Sequence, residues 1–257
     1  MKTEGSKRGK ESYGSPPPGV ELSALSGLLI VIEGPDSSGR STQVRLLSQW
    51  LEEKGFAVLQ TGLTRSALVG PALDAAKQGN TLSPRTMSLF YATDFYDQFE
   101  NNIIPALRAG YLVLADRYIY TLMARDLVRG ANPEWVESLY SKAIIPDAVF
   151  LLSASTTNLV ERTLTMHGSL DYWESGMDLG LSRSWYDSFV RYQRRLRQEF
   201  MKLQDQYKLD IINANRGIRA IQRDLRGRID LVIERAYPHL RELRKDNETE
   251  SGTEGGA

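Results

Sequence analysis

One stretch near the start of the chain decides the fold: Leu28–Thr42, which reads LLIVIEGPDSSGRST. Its first five residues are apolar and predict a strand that is buried on both faces. From Gly34 to Thr42 the spacing follows G-x-x-x-x-G-K-[ST], the pattern of a phosphate-binding loop between a strand and a helix. Arg40 stands where that pattern has lysine. The sequence therefore predicts a site for nucleotide phosphates directly after the first strand.

The loop carries chemical groups that suit phosphate. Its glycines allow successive backbone N–H groups to turn inward, and the N-terminus of the following helix adds a partial positive charge. The Ser41 hydroxyl is a candidate ligand of Mg²⁺. The residues predicted to hold the phosphates of ATP are Gly34, Pro35, Asp36, Ser37, Ser38, Gly39, Arg40, Ser41 and Thr42. A plain Gly/Ser turn is the alternative, and the motif spacing disfavours it.

Arg40 leaves two functions open. Its guanidinium is wide and planar, whereas a lysine ammonium is a compact charge that reaches the β- and γ-phosphates. Arginine still neutralises and hydrogen-bonds phosphate, so nucleotide binding is expected. Catalysis at this loop, and nucleotide binding without turnover, are both consistent with the substitution.

Apolar runs and helical patterns alternate along the rest of the domain. Further strands are predicted at 56–59, 111–115, 148–152 and 209–212. A helix is predicted from Leu89 to Leu107, with Pro105 breaking or kinking its last turn. The alternation predicts an α/β fold of the P-loop NTPase class, with a five-stranded parallel sheet and helices on both faces. Ligands of such sheets bind beyond the carboxyl ends of the strands.

Composition narrows the class of protein. The chain has 257 residues, with 32 Lys and Arg against 32 Asp and Glu, and it contains no cysteine. The balanced charge gives no general attraction to nucleic acid or to an anionic membrane, so neither is an expected partner. The lack of cysteine excludes disulfides and fits a reducing cytoplasm. Polar, Gly- and Pro-rich segments predict a disordered leader at 1–22 and a disordered tail at 241–257, around one domain at 23–240.

A second strand end carries charged side chains. Asp116 and Arg117 directly follow the apolar run at 111–115. A carboxylate in that place is suited to hold Mg²⁺ or orient an acceptor, and the arginine is suited to clamp a phosphate. An Asp-Arg pair is often a mere surface ion pair. Its position after a strand of a P-loop protein favours the functional interpretation.

The sequence resembles the thymidylate kinase family over nearly the whole domain. The matching segments are, in chain order, Ile32–Gln43, Leu89–Ala92, Ile104–Gly110, Asp116–Tyr118, Arg129–Gly130, Pro133–Trp135, Ile145–Asp147, Leu159–Arg162 and Phe189–Tyr192. Their order and spacing are more specific than any segment alone. The resemblance implies a nucleoside monophosphate kinase that uses ATP, Mg²⁺ and a small phosphorylated acceptor. It also implies a homodimer and a lid at about 165–184.

Roles for single residues follow from the same resemblance. Asp36 matches the residue that contacts the acceptor sugar, and Arg117 matches the one that binds the acceptor phosphate. Asp116 matches the acidic residue near the metal and the transferred phosphoryl group. Because the interior of the phosphate loop lacks arginine, the catalytic arginine is expected in the lid, as either Arg162 or Arg183.

The acceptor side departs from the family in three places. The family's R-E-P-G-G is replaced by Thr61–Arg65, its A-[AD]-R by Ala92–Phe95, and its Y-Q-G by Ala124–Asp126. Loss of polar groups from a base-reading pocket relaxes or redirects its selectivity. The acceptor-binding residues predicted for this chain are Asp36, Arg65, Tyr91, Phe95, Arg117 and Arg125.

Two of these predictions have structural alternatives. Arg125 either contributes to a new acceptor site or forms a solvated ion pair with Asp126. Phe95 either contacts the acceptor base or packs in the core. On the ATP side, Arg216 follows the last strand, where nucleotide kinases surround the adenine, and is expected to stack there.

Together these observations predict ATP-dependent phosphorylation of a nucleoside monophosphate, with dTMP as the acceptor that the resemblance implies. The altered acceptor segments leave a kinase of another small acceptor open. The arginine in the phosphate loop leaves a nucleotide-binding regulatory protein open.

Overall fold

A computed structural model describes residues 9–79 and 82–238 and contains one parallel sheet. Its strands are β1 (Leu28–Glu33), β2 (Val58–Gly62), β3 (Leu112–Asp116), β4 (Ala148–Ser153) and β5 (Asp210–Asn213). The strand order is β2-β3-β1-β4-β5, and every neighbouring pair is parallel. This confirms the predicted α/β class, although β2 begins two residues later than the apolar run at 56–59.

Helices cover both faces of the sheet. They are α1 (Arg40–Glu53), α2 (Gly70–Gln78), α3 (Pro84–Gln98), α4 (Ile104–Arg108), α5 (Ile119–Val128), α6 (Pro133–Leu139), α7 (Thr156–His167), α8 (Trp185–Tyr207) and α9 (Ile218–Ala236). One apolar core lies between the sheet and α1, α7 and α9. The other lies between the sheet and α3, α5 and α8. Strands β1 and β3 are buried along their whole length, which is why they read as continuous apolar runs.

The predicted helix at Leu89–Leu107 is perturbed before Pro105 rather than at its last turn. A π-helical segment, Phe99–Ile103, joins α3 to α4. Proline has no N–H for the normal helical bond, and its ring crowds the carbonyl four residues earlier. A wider turn ahead of the proline relieves that clash and lets the chain stay helical.

Residues 9–22, predicted as part of a disordered leader, pack against the domain in the structure. The Tyr13 ring contacts the rings of Tyr120 and Tyr207, with centroids 6.4 and 5.2 Å away. Pro17 is buried as well. The prediction failed for these residues because average composition hides the few apolar side chains that anchor the segment.

The other predicted boundaries lie partly beyond the residues that the structure describes. Residues 1–8 of the leader and the tail at 241–257 fall outside them. Within the described ranges, no helix is long and apolar enough to cross a membrane.

Candidate active site

The phosphate loop lies between β1 and α1, and its two glycines have backbone conformations that side chains disfavour. Gly34 has φ 144°, and a Cβ there would lie 2.7 Å from the Leu152 carbonyl oxygen. Gly39 has φ 93° and caps α1. The glycines of the motif therefore set the path of the loop.

Arg40 points back into the loop. Its Nη1 donates to the Gly34 carbonyl oxygen at 2.5 Å, to Ser38 Oγ at 3.1 Å and also to the Pro35 carbonyl oxygen. Its Nε donates to Asp116 Oδ1 at 3.0 Å, and the residue is only 5% exposed. The guanidinium thus ties the loop to the end of β3, a geometry that a single ammonium could not reproduce.

Ser41 and Asp116, the predicted metal ligands, lie together. The Ser41 hydroxyl donates to Asp116 Oδ2 at 2.7 Å. Hydroxyl and carboxylate oxygens suit Mg²⁺, which needs few protein ligands when substrate phosphates supply others. Among the described residues, no cluster of three or more His, Asp or Glu side chains could hold a metal by itself.

Asp36 and Arg117 form the centre of the acceptor side. Arg117 Nη2 donates to Asp36 Oδ1, and Arg125 Nη2 donates to Asp36 Oδ2 at 2.6 Å. Burial, and next the charge of Arg125, lowers the pKa of Arg117 to about 9, so its guanidinium stays charged at neutral pH. Its buried Nε has no hydrogen-bond partner among the described residues. A bound anion would accept a hydrogen bond from this Nε. It would also reduce the electrostatic repulsion between the Arg117 and Arg125 guanidinium groups.

Glu33, which the sequence analysis did not single out, positions Arg117. Its side chain is fully buried and accepts from the Tyr118 N–H at 2.9 Å and the Thr121 N–H at 3.3 Å, and from the Thr121 hydroxyl. Arg117, one residue earlier, has φ 74°, a conformation that needs such support. Burial raises the pKa of Glu33. The only signal in the sequence is an acidic residue at the end of a continuous apolar strand.

A pocket opens beside Arg125, between α2, α3, α5 and the lid. It encloses about 460 Å³, including space open to solvent, and is lined by Lys77, Met87, Tyr91, Leu122, Arg125, Asp126, Arg129, Trp173 and Glu174. The Arg125 guanidinium lies 6.0 Å from the centroid of the Tyr91 ring. Its lining combines apolar and aromatic side chains with a few charged groups, as ligand pockets commonly do. The structure therefore brings the predicted acceptor residues Tyr91, Arg125 and Asp36 together.

The ion pair considered for Arg125 and Asp126 is not present. Arg125 bonds to Asp36, whereas Asp126 Oδ1 accepts from the Ser88 hydroxyl at 2.6 Å. Asp126 is buried, and burial raises its pKa to about 6. Neither side chain belongs to a solvated face.

Phe95 and Arg65 lie apart from this pocket. Phe95 is buried and stacks on Phe99 with ring centroids 5.3 Å apart, so the packing alternative describes it. Arg65 is exposed, with its Nε beside Gly62 at the end of β2. In the segment that replaces the family's A-[AD]-R, the buried Asp94 accepts from the N–H groups of Thr64 and Ser66 at 2.7 and 2.9 Å.

Arg162 and Arg183, the two candidates for the lid arginine, have different surroundings. Arg162 Nη2 donates to the Ala214 carbonyl oxygen at 2.8 Å, and its Nη1 to the Ser38 carbonyl oxygen at 3.3 Å. It therefore lies against the phosphate loop. Arg183 is exposed just before α8. Arg216 bonds to Asp224 of α9 at 2.6 Å and is also exposed.

Residues 168–184, which make up most of the predicted lid at about 165–184, are held by Arg129, a residue that the sequence indicates only as part of a matching segment. Its Nε donates to Asp178 Oδ2 at 2.8 Å, and its Nη1 to the Tyr192 hydroxyl at 2.9 Å. Its Nη2 donates to the Trp173 carbonyl oxygen at 3.2 Å. One buried guanidinium thus joins the lid to α5 and α8.

The sequence is similar to those of known proteins over most of its length. The sequence model of the family described as thymidylate kinase matches residues 32–175, more than half of the chain. A "Probable thymidylate kinase 2" of Saccharolobus solfataricus is 35% identical over 203 residues, 79% of this chain and 95% of the relative. A "Probable thymidylate kinase" of Thermococcus gammatolerans is 30% identical over 217 residues, 80% of this chain and 98% of the relative. A "Thymidylate kinase" of Caldicellulosiruptor saccharolyticus is 35% identical over 156 residues, 57% of this chain and 74% of the relative.

Proposed function

This chain belongs to the thymidylate kinase family, and we propose that it transfers the γ-phosphoryl group of ATP to dTMP, giving ADP and dTDP. The observation that carries the proposal is the convergence of two strand ends. The phosphate loop after β1 and the Asp116-Arg117 pair after β3 meet through the bonds of Arg40 and Ser41 to Asp116. A donor site and an acceptor site are thereby joined at one edge of the sheet.

The donor side consists of the loop and Arg162. Backbone N–H groups of the loop and the N-terminus of α1 attract the phosphates of ATP. Arg162, which contacts the Ser38 carbonyl oxygen, is the arginine placed to stabilise negative charge on the transferring group. Ser41 and Asp116 would hold Mg²⁺ together with phosphate oxygens, and the bound ion supplies charge neutralisation.

The acceptor side consists of Asp36, Arg117 and Arg125. Arg117, whose buried Nε has no partner in the described part of the chain, binds the dTMP phosphate, and Asp36 holds both arginines in place. The Asp36 carboxylate also accepts a hydrogen bond from the hydroxyl of the acceptor sugar, as the family resemblance implies. The base enters the pocket beside Tyr91.

In the reaction, an oxygen of the dTMP phosphate attacks the γ-phosphorus of ATP. A new P–O bond forms while the bond from the γ-phosphorus to the β–γ bridging oxygen breaks, and ADP leaves with that oxygen. The attacking oxygen is already anionic, so the reaction needs no strong general base. Rate enhancement comes from alignment and from charge stabilisation by the arginines.

Nucleotide binding without turnover is a second candidate, and one observation favours it. The Arg40 guanidinium is engaged by loop carbonyl oxygens and by Asp116, which leaves less of its charge for phosphate. Comparing the wild type with Arg40→Lys separates the two. A site adapted to arginine loses turnover on substitution, whereas a decayed site gains it.

The proposal includes where the protein acts and how many copies of the chain assemble. The family resemblance supports a cytoplasmic homodimer, and light scattering on the purified chain measures its mass directly.

The test of the function is ADP release from purified protein with ATP and Mg²⁺, measured across deoxy- and ribonucleoside monophosphates. We expect dTMP to have the highest kcat/KM. Preference for another monophosphate would retain the reaction but change the substrate. ATP binding without ADP release for any acceptor would support the binding protein instead.

A further inference from the structure

We propose that Asp126 reads the acceptor base, by accepting a hydrogen bond from the ring N3–H of thymine. The inference rests on the proposed function, since it assigns a specificity-determining residue to the same acceptor pocket. The residue stands in one of the three segments where the chain departs from its family, so it is a feature of this sequence.

The first observation is an unused acceptor atom. Asp126 is 7% exposed, and its Oδ1 accepts from Ser88 at 2.6 Å. Its Oδ2 is buried and has no hydrogen-bond partner among the residues that the structure describes. A buried carboxylate oxygen without a partner is costly, and a ligand N–H that reaches it removes that cost.

The second observation is the position of Asp126 in the pocket. Leu122 and Asp126 are four residues apart on α5 and therefore lie on one face of that helix. Across the pocket, Met87 and Tyr91 have the same spacing on α3 and line it too. A flat ring held between these two helices places an edge toward the carboxylate.

The orientation of the nucleotide follows from the arginines. Arg117 and Arg125 both bond to Asp36, so the phosphate and sugar lie at the end of the pocket that faces the phosphate loop. Asp126 is the next residue on α5 after Arg125, on the side of Ser88 and α3. The base therefore extends from the loop along Tyr91 toward Asp126.

The chemistry of a carboxylate selects an N–H donor. Thymine presents N3–H at that edge, whereas cytosine has a lone pair on N3, which would face the carboxylate oxygens. No arginine stands in Ala92–Phe95, the segment that replaces the family's base-reading A-[AD]-R, and its Asp94 accepts from the N–H groups of Thr64 and Ser66 instead. Asp126 would thus supply a polar contact to the base that the missing arginine does not.

An alternative role for Asp126 is purely structural. The Tyr140 hydroxyl is also buried without a partner among the described residues, and burial, followed by the charge of Asp126, raises the pKa of that hydroxyl. A water molecule between Tyr140 and Asp126 would satisfy both groups. Such a role predicts effects of Asp126 substitution on stability but not on the choice of acceptor.

The experiment compares dTMP with N3-methyl-dTMP, which lacks the N–H donor, in the wild type, Asp126→Ala and Asp126→Asn. Asp205→Ala, at an exposed position on α8, is the matched control. In the wild type we expect kcat/KM for the analogue to be lower by about 10- to 100-fold. In Asp126→Ala, kcat/KM for dTMP should fall, and the preference for dTMP over the analogue should shrink to within about threefold.

The possible results separate the alternatives. If Asp126→Ala instead raises the rate with the analogue and leaves that with dTMP unchanged, the methyl group merely clashes and the inference is wrong. Unchanged kcat/KM for dTMP in both variants, with lowered thermal stability, supports the structural role. Absence of dTMP turnover in the wild type overturns the proposed function, whereas normal turnover that does not depend on Asp126 overturns only this inference. Should Asp126→Ala fail to fold, Asp126→Asn keeps the side-chain shape, and an unchanged ratio of dTMP to analogue in that variant also contradicts the inference.

Discussion

Replacing Asp126 by asparagine should change how the stability of the protein depends on pH. Burial raises the pKa of this carboxyl from 3.8 to about 6, despite the Ser88 hydrogen bond and the charges of Arg129 and Arg125, all of which lower it. The folded protein therefore holds a proton that the unfolded chain has released between these two values. Stability contributed by this group falls as the pH rises from about 4 to 6 and does not fall further above that range.

The magnitude follows from the shift. A displacement of roughly two units corresponds to about 3 kcal/mol of unfolding free energy between the fully protonated and the fully ionised group. Between pH 5 and pH 7.5, where most other carboxyls are already ionised, the expected loss is about 1.5 kcal/mol. The asparagine side chain of Asp126→Asn cannot ionise. This contribution to the pH dependence of the unfolding free energy should therefore vanish in the variant.

Urea denaturation at several pH values from 5 to 7.5 measures the difference between the two proteins. The free energy of unfolding of Asp126→Asn, relative to the wild type, should rise by about 1.5 kcal/mol across this range. Asp205→Asn, on an exposed part of α8, should follow the wild type. If the free energies of unfolding of the wild type and of Asp126→Asn change equally with pH, the buried carboxyl does not titrate near pH 6.

Three further predictions concern other parts of the site. Arg162→Ala should lower kcat on the order of 100-fold because Arg162 lies against the phosphate loop, whereas Arg183→Ala should change it by less than about threefold in the same steady-state assay. Glu33→Gln places an amide donor among buried N–H and hydroxyl groups, so urea denaturation should show a loss of about 1–3 kcal/mol. Asp178→Ala leaves the Arg129 guanidinium buried without its carboxylate, and the same method should show a loss of about 3–5 kcal/mol, with a smaller loss contradicting the lid contact.

The fold could be predicted because its signals are local. The apolar run before Gly34 and the loop spacing that follows are contained in Leu28–Thr42, and both describe the structure correctly. The order of the remaining strands follows from alternation and from the rules of parallel sheets. The strand end at Asp116-Arg117 could be predicted for the same reason.

The contacts within the site could not be predicted from the sequence, because they join residues that are far apart along the chain. Arg162 and Ser38 are 124 residues apart in sequence, and Arg129 and Asp178 are 49 apart. No periodicity or spacing pattern links such pairs, since their contact depends on how the helices pack.

Two predictions, the disordered leader and the role of Phe95, differ from the structure. The leader was predicted from its polar average, but one ring, that of Tyr13, lies against two buried or half-buried tyrosines. Phe95 was predicted among the acceptor-binding residues with core packing as the alternative, and the packing alternative describes it, because its ring is buried against Phe99.

Phosphorus NMR of the wild-type protein with ATP, Mg²⁺ and dTMP would show the phosphoryl transfer itself. We expect the signals of dTDP and ADP to grow together in equal amounts while those of ATP and dTMP decline. ADP that appears with inorganic phosphate and no dTDP, or ATP that binds and remains intact beside dTMP, would contradict the proposed transfer.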